Sequence, residues 1–142
     1  MDKYYKNIKQ LIETNLIEVK KNEINSNYHT LITYYNVGKE LIEAQGGEKR
    51  ATYGNKLIKN YSTKLTRIFG RGYNTTGLKR MRQFYLFFPK GATLSHLSWS
   101  HYLELLPFKN ESKRNYYINS VIENSFSVRQ LRDYIKTNAY EY

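Results

Sequence analysis

Apolar positions recur every three or four residues along most of this chain, and that spacing predicts helices. Over residues 3–22 the stripe runs through Ile8, Ile12, Leu16 and Val19, with Leu11 beside it and Lys and Glu on the other side. Residues 27–45 repeat the pattern through Leu31, Tyr34, Tyr35, Gly38, Leu41 and Ile42. A glycine on an apolar stripe, such as Gly38, is expected to let another backbone approach closely, which offsets its poor helix propensity. Gly46-Gly47 ends this helix. Residues 1–46 are therefore expected to form a helical hairpin.

A third helix is predicted over 52–69, with Leu57, Ile58, Tyr61, Leu65 and Ile68 inward and Lys56, Lys59, Lys64 and Arg67 largely elsewhere on its surface. It stops at the turn Gly70-Arg71-Gly72, after which Asn74 or Thr75 can cap a fourth helix by accepting a backbone N–H. Leu78, Met81, Tyr85 and Phe88 make the buried stripe of that helix. Lys79, Arg80, Arg82 and Gln83 point mostly away from it, and Pro89-Lys90-Gly91 stops it. Helix, glycine-containing turn and basic helix give residues 52–90 the outline of a helix-turn-helix.

Beyond it, Leu94, Leu97, Trp99, Tyr102, Leu105 and Leu106 predict a short helix within 92–108. Residues 110–124 predict another, with Tyr117, Val121 and Ile118 inward. Ser127 caps a last helix, with Phe126 placed to pack on Leu131 as a hydrophobic staple. No convincing alternating run is present, so strands are expected to be absent or limited to a short wing near 91–97. The expectation is one all-α domain over 1–142, with a helix-turn-helix or winged-helix-like core and C-terminal helices over 92–137.

Charge changes this picture from a fold to a function class. From Lys49 to Leu103 there are 11 Lys or Arg and no Asp or Glu, while the flanking segments nearly balance and the whole chain carries +11. An excess confined to one segment points to a polyanionic partner. The aromatics Phe84, Tyr85, Phe87 and Phe88 within it are better read as core than as base-stacking surface at that spacing. The chain has no cysteine, which excludes a disulfide framework and thiolate metal sites and is compatible with a reducing cytoplasm. No apolar run reaches the roughly 18–20 residues of a membrane span, and the first residues do not read as a signal peptide.

Catalytic constellations are not legible. Gly72 to Gly77 followed by Lys79 superficially matches a phosphate-binding loop, but Gly77 is followed by Leu78 rather than Lys-Ser/Thr, and no strand precedes it. Glu18-Val19-Lys20 and Glu111-Ser112-Lys113 match half of a metal-dependent nuclease site, yet both fall on predicted helices where solvated charges are the plainer reading. His96 and His101 are badly spaced for a shared ligand, and His29 stands apart, so structural roles are expected for the histidines. No cofactor or metal is expected, and no enzyme activity.

Several motifs occur in an order that resembles a known family. They are Tyr53-Gly54-Asn55-Lys56-Leu57-Ile58, Phe69-Gly70-Arg71-Gly72-Tyr73 leading to Leu78-Lys79-Arg80-Met81-Arg82-Gln83-Phe84-Tyr85, and Leu97-Ser98-Trp99-Ser100-His101-Tyr102 with Glu104-Leu105-Leu106. Ile122-Glu123-Asn124 and Ser127-Val128-Arg129-Gln130-Leu131 continue the match. The chain is similar, from about residue 27 to 136, to the N-terminal domain of the YhcG-like proteins of bacteria and mobile elements. That resemblance implies a helical, winged-helix-like DNA-binding module that normally precedes a PD-(D/E)XK nuclease domain. It implies DNA contact chiefly by Arg71, Lys79, Arg80, Arg82 and Gln83. The sequence stops at Tyr142, about where the nuclease half would begin, so nuclease activity does not carry over.

On the residues themselves, Asn74, Thr75 and Thr76 would set the start of the fourth helix against a phosphate. Arg and Gln on that helix would read bases, and Lys56, Lys59, Lys64, Arg67 and Lys90 would grip phosphates. DNA is favoured over RNA as the partner. The alternative is a protein-binding inhibitor or decoy in a phage–host conflict, of the anti-CRISPR kind, using the basic face on a nuclease or its guide RNA. A further alternative is homodimerisation through the hairpin.

Overall fold

The computed structural model describes residues 2–21, 26–88 and 97–142; among them are helices and turns but no strand. The fold is all-α. Seven α-helices are described: α1 (Lys3–Lys21), α2 (Ser26–Gln45), α3 (Ala51–Phe69), α4 (Thr75–Phe87), α5 (Trp99–Leu105), α6 (Glu111–Asn124) and α7 (Val128–Lys136). Single 3-10 turns precede α3 and α4. The wing expected near 91–97 falls, but for Leu97, outside the described residues, as do Lys90, Leu94 and His96. The chain divides into two compact units, residues 1–91 and 92–142.

In the first unit α2 is the central helix, packed against α1, α3 and α4. Its tightest neighbour is α4. A Cβ at Gly38 would stand 2.2 Å from the Met81 carbonyl oxygen and 2.8 Å from the Tyr85 Cβ. The close backbone approach expected at Gly38 is therefore made by α4. Leu31, Val37 and Leu41 of α2, Ile58 and Leu65 of α3, and Leu78, Met81 and Phe84 of α4 fill the core around this crossing. Tyr35 packs edge-on against Phe84, which is buried in the core, and against the half-buried Tyr85.

Helix α1 buries Tyr5, Ile8, Ile12 and Asn15. Leu16, expected inward, is 48% exposed. Most of α1's packing is against α2. Ile68 of α3 is likewise 52% exposed rather than buried. The contacts of α1 with α3 gather at Asp2 and Tyr5, which meet Tyr61 and Lys64, one turn short of Ile68. Asp2 also caps α1, accepting the Tyr4 N–H at 2.8 Å, and the Tyr61 hydroxyl of α3 donates to its other carboxylate oxygen.

The second unit packs Leu97, Tyr102, Leu105, Tyr117, Ile118, Val121 and Leu131 together. Ser127 caps α7 with Gln130 in a reciprocal box, and the Phe126 ring packs on Tyr134 with centroids 5.2 Å apart. His101 is structural: its Nδ1 accepts the Ser98 N–H at 3.0 Å, and its Nε2 lies 2.8 Å from the Phe126 carbonyl oxygen. Both Glu-x-Lys pairs lie on helices, and Lys113 is paired with Glu141 at 2.6 Å. No described helix is long and apolar enough to cross a membrane.

Candidate nucleic-acid interface

The turn that launches α4 is built by its glycines and one amide. Gly70 adopts φ +99°, a conformation other residues rarely take, and its N–H closes α3 on the Thr66 carbonyl at 2.9 Å. Tyr73 then anchors the turn, buried against Tyr34 and Phe69. Burial, with Tyr34 as its neighbour, raises the Tyr73 phenol above its ordinary pKa, so it stays a neutral hydrogen-bonding group. Of the two residues expected to cap α4, Asn74 does so: its Oδ1 accepts the Gly77 N–H at 2.8 Å. A Cβ at Gly77 would be 2.1 Å from the Gly72 carbonyl oxygen, so the spacing that mimics a phosphate loop is the steric requirement of this turn.

Two side-chain links hold α4 beside α3. The Ser62 and Thr75 hydroxyls are 3.1 Å apart, and an Arg82 terminal nitrogen donates to Asn55 Oδ1 at 2.8 Å. The links are seven residues apart on each helix, so α4 returns antiparallel along α3 over about 10 Å. Lys59 lies one turn from both Asn55 and Ser62 on α3, and Lys79 lies one turn from both Thr75 and Arg82 on α4. Residues three or four apart share a helix face, so both lysines border this seam. Both are exposed.

The remaining cations extend outward from the seam. On α3, Lys56, Asn60, Thr63 and Arg67 recur at helical steps along the exposed side; on α4, Thr76, Arg80 and the half-buried Gln83 do the same. Arg71 is exposed in the turn between them. Both ion pairs found among the described residues, Lys113–Glu141 and Arg132–Glu104, lie in the other unit. Hence no described acid neutralises Lys56, Lys59, Arg67, Arg71, Lys79 or Arg80. Lys64 sits apart from this group, its ammonium 5.0 Å from the Tyr5 ring centroid.

Arg82 is placed differently from its neighbours. Its other terminal nitrogen donates to Gln45 Oε1 at 3.0 Å, so one guanidinium ties α2, α3 and α4 together. Gln45 is 1% exposed and spends its own amide N–H on the Gly47 carbonyl at 2.7 Å. A Cβ at Gly54 would fall 1.9 Å from Gln45 Oε1 and 2.7 Å from an Arg82 nitrogen, so only glycine leaves room for this junction. Sequence reasoning missed Gln45 and Asn55 because they meet Arg82 across 37 and 27 residues. The one available signal was the Tyr53-Gly54-Asn55 motif. A cavity of about 470 Å³ lies elsewhere, between α1 and α2, among Leu11, Asn15, Glu18, His29 and Thr33. It takes no residue from the cationic segment.

The α3–α4 pair of this all-α chain thus carries exposed cations that make no ion pair with a described acid. The chain is a member of the family described as DUF1016 N-terminal domain, which it matches over residues 7–142. It is also 35% identical to the Escherichia coli (strain K12) protein named "Putative nuclease YhcG", in a match covering 77% of this chain and 38% of that protein. The chain thus spans less than half the length of this relative. No solved structure matches it.

Proposed function

We propose that this domain binds double-stranded DNA through the α3–α4 surface and acts as the targeting part of a nuclease system. The observation that carries the reading is the set of six exposed cations, Lys56, Lys59, Arg67, Arg71, Lys79 and Arg80, with no described carboxylate in an ion pair with any of them. Membership in a family with a nuclease-named relative supports DNA as the polyanion. In this reading α4 works as the second helix of a helix-turn-helix. Thr76, Arg80 and Gln83 face the groove, where Arg can read guanine and Gln can read adenine, and Lys79 borders it beside the phosphates. Lys56, Lys59, Arg67 and Arg71 hold phosphates without reading sequence, with Lys64 at the margin. Asn74 and Thr75 shape the turn through their bonds to Gly77 and Ser62.

The test is duplex binding by the chain and by a Lys79→Ala/Arg80→Ala variant, followed by fluorescence anisotropy at several salt concentrations. The variant is expected to bind more weakly, with a salt slope shallower by about one unit per lost phosphate contact. Equal affinity and equal slope for the two proteins would refute the assignment of α4.

A further inference from the structure

Arg82 is a partly buried cation whose assigned partners are both neutral. Gln45 Oε1 and Asn55 Oδ1 each take one N–H from a different terminal nitrogen, at 3.0 and 2.8 Å. Burial lowers its pKa below the ordinary guanidinium value, and no carboxylate offsets that effect. Charges withdrawn from water are ordinarily paired with an opposite charge. Amide oxygens orient a guanidinium without neutralising it, and they leave the other N–H donors of the fork available. Along the same seam stand Lys59 and Lys79, both exposed, with no acid among residues 49–103. Three positive groups bordering one seam offer an anion charges it can join.

We propose that Gln45 and Asn55 hold Arg82 as the preformed receptor for one backbone phosphate of DNA, with Lys59 and Lys79 completing the site across the α3–α4 seam. The planar fork matches a phosphate's paired oxygens, while the lysines add point charges. Gly54 serves the site by leaving space for the Gln45–Arg82 bond. Gln45 and Asn55 are positioning residues: they touch the guanidinium, not the phosphate. The site rests on the DNA-binding reading above and locates its anchor.

Two variants separate position from charge. Arg82→Lys keeps the positive charge but cannot span both amides and a phosphate. Asn55→Ala changes no charge and removes one exposed side chain, and urea unfolding of the variant checks its fold. Duplex affinity is measured for both at fixed salt, and inorganic phosphate is titrated into the wild-type protein while the Arg82 Nε–H is followed by nitrogen-15 NMR. The site predicts a phosphate-dependent shift of that resonance and binding weaker by about tenfold or more in each variant. Wild-type duplex binding that both variants match would overturn the site and leave the DNA reading intact. A phosphate shift at Arg82 without duplex binding would support the anion site and refute DNA as its ligand. Absence of both would overturn the site and the DNA reading together.

Discussion

Gly38 shows what a single position can disclose. A glycine in the middle of an apolar stripe costs helix stability, so its presence signals that something occupies the space of its side chain. The Met81 carbonyl occupies it, 2.2 Å from where a Cβ would be. Gly38→Ala gains about 1 kcal/mol in helix propensity but forces α4 away from α2, and overpacking of this kind costs about 1–3 kcal/mol. With a backbone carbonyl at this distance the clash dominates, so a net loss of stability is expected in urea unfolding. A variant as stable as the wild type would show that α4 does not cross α2 here. Leu16 and Ile68 were not legible in this way. Periodicity reports which residues share a helix face, not how far along that face a neighbour extends. The links of Arg82 to Gln45 and Asn55 were not legible either, since these amide partners come from distant parts of the chain.

At the scale of elements, the turn into α4 was largely written in local chemistry. Asn74 followed by Gly77 gives both the cap and the space the Gly72 carbonyl needs. Asn74→Ala should cost about 1 kcal/mol, and Asn74→Ser should recover most of it, as read from urea midpoints. Equal midpoints for all three proteins would mean that the cap contributes nothing. The start of α1 was less legible, because its staple joins residues 2 and 61. Burial alone would raise the Asp2 pKa, but hydrogen bonds from the Tyr61 hydroxyl and the Tyr4 and Tyr5 N–H groups hold it below its usual 3.8. The stability that this carboxylate contributes is therefore complete above that value and is lost as pH falls through the lower folded value. Asp2→Asn should lower the urea midpoint at neutral pH, and the difference should shrink progressively as pH falls below 3.8. A difference that persists unchanged in acid would rule out the charged carboxylate as its source.

For the whole molecule, charge was more legible than architecture. The acid-free stretch was visible without coordinates, and the two units meet in sequence at residues 91–92, just after the Pro89-Lys90-Gly91 stop. Which of its cations border a common seam required the Ser62–Thr75 and Asn55–Arg82 links, contacts that no pattern along one helix can supply. The most direct measurement is the dependence of duplex DNA affinity on salt for the unmodified chain. Each neutralised phosphate contributes about −0.9 to the slope of log K against log salt, so engagement of most of the cationic surface predicts a slope of about −3 to −5. A folded protein that fails to bind duplex at low salt, or binds it with a slope near zero, would contradict the account.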